Sequence, residues 1–373
     1  MTRPADGAPR AHCDHPFSLT PNPAPRSDAE RAAELAAPAF GVAFTDHMAR
    51  ITWTAENGWT DRRVVPYGPI QLAPAASVLH YAQECFEGLK AYRHADGTLW
   101  TFRPTANAER FQRSARRMAL PELPIADFLG SIEALVGQDR DWVPAGEETS
   151  LYLRPFMFAA EPFIGVRPSR LVEYLVIASP VGSYFKGGLA PVSIWVDTET
   201  RRAGPGGTGA AKCGGNYAAS MAAQESAYAH GCEQVLFLDA VTGQRLEELG
   251  GMNIAVVFGD STVATPPVSG TILEGVTRSS ILQLLRDRGI EVQERPVTLA
   301  ELLEGVRSGA VSEVFACGTA AVMTPVGRLA GEGFEAVVGD GGAGALTMSV
   351  RQELTDIQYG RIEDRHGWTT RLV

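Results

Sequence analysis

Lysine is nearly absent from this chain. Lys and Arg together number 33 in 373 residues, yet only Lys90, Lys186 and Lys212 are lysines. As a solvated charge, arginine replaces lysine well. Guanidinium stays protonated, however, and neither forms imines nor shuttles protons. Each retained lysine is therefore a candidate chemical group, set against the plain alternative of a leftover surface charge. Cysteine is sparse too: five residues, at 13, 85, 213, 232 and 317, with no CxxC spacing and an odd total. That pattern argues against a disulfide framework and fits a reducing, cytoplasmic compartment. No apolar run approaches the ~18 residues of a membrane span, and the N-terminus lacks the apolar stretch of a signal peptide. Positive charge is also in deficit, with a net charge of −10. Nucleic acid and anionic membrane surfaces are thus disfavoured as partners, while a local basic pocket for a small anion stays open.

What is present reads as an ordinary globular protein, with 45% hydrophobic and 20% charged residues. The length suggests two domains at ~100–200 residues each. Residues 1–38 read as a tail, rich in Pro, Ala and Arg over its first 30 positions. His12, Cys13 and His15 lie close together there without a fourth ligand, so no metal is expected. From 39 to 182 the pattern is mixed α/β: strand-like runs at 49–54, 98–103, 150–158 and 170–179, and an amphipathic helix over 107–120. The Gly- and Pro-containing segment 183–191 reads as an interdomain linker. The rest, 192–373, reads as a larger domain. It has strands at 192–197, 233–239, 253–258 and 312–317 and a helix ending near His230 before Gly231. Further helices are expected over 276–288, after the Thr298/Glu301 capping box, and over 346–359.

Four features carry candidate chemistry. GPGGTGAAKCGGN (204–216) invites two nucleotide readings. Gly204, Gly206 and Gly209 match G-x-G-x-x-G, but six residues separate them from the preceding strand, and Pro205 and Gly207 intervene. A Walker loop would need Gly and Ser or Thr where Ala211 and Cys213 stand. The alternative is a loop presenting Lys212 at the mouth of a helix, with glycines permitting close backbone approach to a ligand. Next, Gly275 precedes a helix whose first N–H groups, with the Thr277 hydroxyl, suit an anion; ordinary helix capping explains this as well. Thr319 sits in a small-residue turn whose amides could meet a carboxylate or phosphate, or which is simply buried. Glu248 precedes two glycines and a strand and faces either a ligand or solvent. An amine, an acid, an anion-binding helix end and a carboxylate-sized turn together suit a pyridoxal 5′-phosphate (PLP) site without naming that cofactor uniquely.

Ten blocks in order resemble the branched-chain aminotransferase family of PLP fold type IV. They include FGVAFTDHM (40–48), LHYAQECFEGLKAYR (79–93), FRPTANAERFQRSARRMALP (102–121), LYLRPF (151–156), AAKCGGNYAAS (210–220), EELGGMN (247–253), TPPVSGTILEGVTR (265–278) and EVFACGTAAVMTPV (313–326). The resemblance implies a two-domain α/β fold with the cofactor between a smaller N-terminal and a larger C-terminal domain. It implies Lys212 as the Schiff-base lysine, which also moves the substrate Cα proton, and Glu248 as partner of the pyridinium nitrogen. Tyr217 falls on the cofactor's phenolic oxygen. Phosphate contacts fall on Arg110, the amides of Val276 and Thr277, and the Thr319 hydroxyl. The implied substrate pocket uses Phe40, Tyr81, Phe86, Tyr152, Arg154 and Tyr184. Arg154 would receive the second carboxylate of glutamate, and the Thr319–Ala320 turn would hold the α-carboxylate. Tyr81 would reach across a homodimer interface. Gly251 departs from members with Thr there and alters the pocket wall. Ala321 and Thr324 stand where animal mitochondrial members have a redox CxxC, so no thiol switch is expected.

The implied reaction moves the amino group of L-leucine, L-isoleucine or L-valine to 2-oxoglutarate. Competing readings are another fold type IV enzyme (a D-amino acid transaminase or aminodeoxychorismate lyase), a non-catalytic PLP or phosphate binder, and a nucleotide-binding module.

Overall fold

The computed structural model describes residues 16–182, 190–259 and 262–373. Tyr184 and Lys186, and the His12, Cys13 and His15 group, lie outside the described residues. The chain divides into two compact units. One holds the described residues up to 182 together with Asp356–Val373; the other runs from 190 to Thr355.

The first unit is built on a sheet of long antiparallel strands. Ser150–Ala159 and Leu171–Val181 pair at its centre, with His47–Thr54 and Gly58–Pro66 on one side and Leu89–Arg93 and Leu99–Phe102 on the other. The helices Pro104–Arg117 and Ile125–Gln138 bury one stripe each against it. Phe111 stacks tilted on Phe128 at 5.5 Å and meets Tyr174 edge-on at 5.6 Å. Three such rings bury a large apolar area in one place.

Two stretches depart from the expected organisation. The tail is not loose from residue 16 onward. Ser18–Leu19 adds a parallel strand to Gly58–Pro66, Phe17 and Leu35 pack on the core, and Ser27 with Glu30 forms a capping box for the helix Asp28–Ala36. Little apolar periodicity marks this stretch, so the cap is its clearest local signal. At the other end, residues 356–373 join the first unit instead of the second. Thr369–Arg371 pairs antiparallel with Leu99–Phe102, and the Tyr359 hydroxyl donates to the Thr149 carbonyl at 2.8 Å. Leu99–Phe102 would otherwise be an exposed edge, which folded proteins cover.

In the second unit the sheet closes on itself. The order runs Leu246–Leu249, Gln234–Leu238, Val192–Asp197, Val322–Gly331, Val311–Gly318, Asn253–Phe258, and the last pairs back onto the first through Glu248 and Asn253. Ile194, Val196, Leu236, Leu249, Ile254, Val256, Val314 and Leu329 belong to its buried core. Small closed barrels fill their interior with side chains in this way. The helices Gly214–Ala229, Val276–Asp287 and Leu299–Ser308 accompany the ring. The last has the expected capping box, with Thr298 and Glu301 satisfying each other's ends.

Candidate functional site

In the second unit, the closing seam positions the central acid. Leu246–Leu249 turns through Gly250 and Gly251, closed by the Leu249 N–H donating to the Met252 carbonyl at 2.9 Å. The turn sets Glu248 opposite Asn253. Glu248 is 3% exposed. One carboxylate oxygen accepts from the Leu273 amide at 2.6 Å and the Asn253 side-chain amide at 3.0 Å. The other meets the Arg202 guanidinium at 3.1 Å. Burial pushes this carboxyl from its ordinary 4.5 up to about 7, against the opposing pull of Arg202, the Leu273 amide and Lys212. Glu248 also lines a small cavity shared with Tyr217, Gly251, Asn253 and Arg202. A carboxylate with that affinity for a proton suits a cationic ring N–H.

Lys212 stands just before the helix Gly214–Ala229, whose cap is Cys213. Its Nζ donates to the Tyr217 hydroxyl at 2.6 Å. The five-residue spacing works because Lys212 precedes the helix and Tyr217 lies in its first turn. The loop before it is tied down by Asn216. The Asn216 side-chain amide donates to the carbonyls of Thr208 and Ala211 at 2.8 and 2.7 Å, and its oxygen accepts from the Thr208 hydroxyl at 2.8 Å. Gly209 is needed for a different close approach from the expected one. A Cβ there would lie 2.4 Å from the Thr271 carbonyl oxygen, so the glycine makes room for the protein's own backbone.

The helix Val276–Asp287 starts from Gly275, which offers no side-chain cap. A Cβ at 275 would lie 2.1 Å from Asn253 Oδ1, so this glycine protects the amide that holds Glu248. Val276 and Thr277 are buried at the helix start. Thr319 and Ala320 form the tip of the hairpin between Val311–Gly318 and Val322–Gly331, with Gly318 paired to Val322. Val322 adopts φ +62°, an outlier for a β-branched side chain that marks a tightly fixed turn. At Gly251 a Cβ would rest 3.4 Å from the Tyr217 ring. A side chain there would begin in ordinary contact with that ring. Beside the turn, burial pushes the Cys317 thiol up to about 12, which leaves it a poor nucleophile.

The first unit gathers most of the expected pocket residues around two neighbouring strands. Arg154 lies over the Phe86 ring at 4.8 Å and the Tyr152 ring at 5.4 Å, and donates to the Tyr152 hydroxyl at 3.2 Å. Phe40 meets Tyr152 edge-on at 4.9 Å. Gly88 leaves space for that tyrosine, since a Cβ there would come 2.1 Å from the Tyr152 oxygen. Tyr81 ends a short helix, is exposed, and donates its hydroxyl to the Ile164 carbonyl. Arg110 is 4% exposed, and one edge of its fork is engaged by Glu87 at 2.7 and 2.8 Å. Glu87 is fully buried and accepts also from the Asn107 side chain at 2.8 Å. A bidentate pair of this kind fixes the direction of the guanidinium.

Sequence reasoning missed Arg202, Asn253 and Glu87. Glu87 carried a signal, an acid before glycine inside the block at 79–93. Arg202 carried none, because its partners are distant in sequence.

A family model for amino-transferase class IV matches residues 84–329. The branched-chain-amino-acid aminotransferase of Mycolicibacterium smegmatis is 53% identical over 360 residues, 95% of this chain and 98% of that protein. Among solved structures, the branched-chain amino acid aminotransferase of Escherichia coli superposes with a TM-score of 0.72. It is 27% identical and covers 87% of this chain and 100% of its own. Another solved branched-chain amino acid aminotransferase, from the organism abbreviated T.th. and holding pyridoxamine 5′-phosphate, also gives 0.72. It is 28% identical and covers 87% of this chain and 99% of its own.

Proposed function

The chain belongs to the class IV aminotransferase family, and we infer that it is a branched-chain-amino-acid transaminase using pyridoxal 5′-phosphate. It moves the amino group of L-leucine, L-isoleucine or L-valine to 2-oxoglutarate, giving the branched 2-oxo acid and L-glutamate. Its two α/β units are those of PLP fold type IV. The reading that it is instead a nucleotide-binding module has no support in the loop geometry around Lys212.

When bound, the cofactor supplies an electrophilic carbon for the amine and a ring that accepts electron density as the Cα proton leaves. The residues present fit it. In our reading Lys212 holds the cofactor and carries the proton between the substrate Cα and the cofactor's C4′. Tyr217, already bonded to Nζ, orients that amine and faces the phenolic oxygen. Glu248 accepts from the ring nitrogen. Arg202 keeps Glu248 charged, and Asn253 keeps it aimed. The amides of Val276 and Thr277, the Thr319 hydroxyl and Arg110 are the proposed phosphate contacts. Phe40, Phe86, Tyr152 and Tyr184 give the aliphatic side chain an apolar wall, and Arg154 receives the second carboxylate of glutamate. The Thr319–Ala320 turn takes the α-carboxylate, beside Gly251. We place the enzyme in the cytoplasm as a homodimer in which Tyr81 reaches the partner's pocket. The exposure of Tyr81 is compatible with that role, and among the described residues no helix is long and apolar enough to cross a membrane.

One observation carries the reading furthest: the buried carboxyl of Glu248, held at three points on the wall of a cavity that Tyr217 and Gly251 share. The test is a spectrum of purified enzyme with initial rates on a panel of amino donors and 2-oxoglutarate. Lys212→Ala should lose both the visible cofactor absorbance and turnover. Full activity in that variant refutes the assignment, and turnover of D-alanine in preference to L-leucine moves the enzyme to another fold type IV activity.

A further inference from the structure

The residue next to Glu248 faces a different cavity. Glu247 lines a recess of about 210 Å³ with Arg245, Pro266, Pro267, Pro296 and Ile272. Glu247 is 6% exposed. One of its carboxylate oxygens accepts from the Thr271 hydroxyl, while the other is buried with no hydrogen-bond partner. Leaving such an oxygen unsatisfied is costly, and native proteins keep few of them. The other acid on the wall, Asp239, is fully engaged. Its oxygens accept from the amides of Val241, Thr242, Gln244 and Arg245 and from the Thr242 hydroxyl. Glu247 is therefore the acid on this wall with an oxygen that lacks a hydrogen-bond partner, although the charges of Arg202 and Arg201 act on it. Arg245, two residues before it, lines the same recess. Arg245 is solvent-exposed at the rim. Between them the walls are proline, valine and isoleucine. Prolines have little backbone freedom to lose, so the recess is preformed.

A buried acid, an arginine at the mouth and a small aliphatic wall complement a molecule with an ammonium, a carboxylate and a short hydrocarbon side chain. We propose that this recess is a second binding site for an aliphatic α-amino acid, its ammonium on Glu247, its carboxylate on Arg245 and its side chain on the prolines. The site is separate from the one lined by Glu248 but connected to it. Thr271 donates its hydroxyl to Glu247, and its carbonyl accepts from Arg202, which reaches Glu248. An occupant that draws Glu247 away from Thr271 acts on the partner of the catalytic acid.

The test uses holoenzyme reduced with borohydride, so that bound amino acids cannot be turned over. Loss of the visible band on reduction checks the cofactor assignment separately. L-valine is then titrated by calorimetry. Saturable binding is expected, weakened about tenfold or more in Arg245→Ala and in Glu247→Gln, and retained in Phe86→Ala, which alters the wall proposed for the substrate's aliphatic side chain. Arg245 is exposed, so its variant serves even if Glu247→Gln folds poorly. The fluorescence of the reduced cofactor should change on binding in the parent enzyme and not in Arg245→Ala. Absence of saturable binding overturns the proposal. So does binding that survives Arg245→Ala but is lost in Phe86→Ala, which would place the ligand in the substrate pocket.

Discussion

The stability of cofactor-free Glu248→Gln relative to the parent should shift in the variant's favour as pH rises. The Glu248 carboxyl has its folded-state pKa raised from 4.5 to about 7, with burial as the largest cause. A group whose proton is held more tightly in the folded than in the unfolded chain loses stability as pH rises through that interval. Below 4.5 both states are protonated and the group is neutral in the balance. Above 7 both are ionised, and the folded state carries a buried charge. The full penalty is about 3 kcal/mol, from roughly 1.4 kcal/mol per pKa unit. Glutamine has the same shape and no charge, so it escapes this pH-dependent penalty, while the loss of Arg202's partner adds a cost that does not vary with pH. Urea unfolding of the two apoenzymes would be compared at about pH 5.5 and about pH 8.5, where the linkage relation gives a change of roughly 2 kcal/mol in favour of the variant. Every other titrating group is common to both chains and cancels in the difference. Curves that shift in parallel with pH would refute the reasoning, because they would mean that Glu248 ionises equally in the folded and unfolded chains. In the holoenzyme this pH trend should disappear, since a cationic ring nitrogen turns the buried charge into half of an ion pair.

Three further substitutions probe the supports of the site. Glu87→Gln leaves the Arg110 guanidinium buried beside a neutral group; breaking a buried pair costs about 3–5 kcal/mol, measurable by chemical denaturation, and unchanged stability would show that the pair is dispensable. Gly275→Ala drives a Cβ into Asn253 and should release its hold on Glu248; cofactor affinity should fall, by about 1–3 kcal/mol in a fluorescence titration, with far-UV circular dichroism unchanged. Gly88→Ala displaces the Tyr152 ring that supports Arg154, and up to about a hundredfold loss in kcat/KM for L-leucine is expected, with the cofactor spectrum intact.

Local signals made much of the fold legible. The strand at 150–158 is observed as Ser150–Ala159, the helix from Val276 starts at that residue, and the Thr298/Glu301 box caps its helix as read. Each depends on a few neighbours in sequence. Where the partner is remote, the reading failed. The last strand, Thr369–Arg371, has only three residues, and nothing in them names Leu99–Phe102 as the edge it covers. The Ser27/Glu30 box had the same form as the one at 298, but it lay in a stretch judged by its Pro and Ala content.

The same division runs through the site. Lys212 stands out by scarcity, so composition reaches it, while its partner Tyr217, five residues on, came only with the family resemblance. Glu248 does not stand out, and on its own it reads as a surface acid. Ring closure makes it otherwise: pairing with Asn253 carries it into the interior, and Arg202, 46 positions earlier, arrives there from another part of the loop. Burial alone would leave an acid too weakly ionised to match a ring nitrogen at neutral pH. Arginine alone would leave it permanently charged. Their opposition sets the carboxyl near 7, and that balance depends on register across the closing strands, which no local pattern encodes. A one-residue slip of Leu246–Leu249 would turn Glu248 away from this pocket and bring Glu247 or Leu249 in its place. The two-glycine turn at 250–251 is what holds that register, so inserting a single residue there should abolish cofactor binding while leaving the first unit folded.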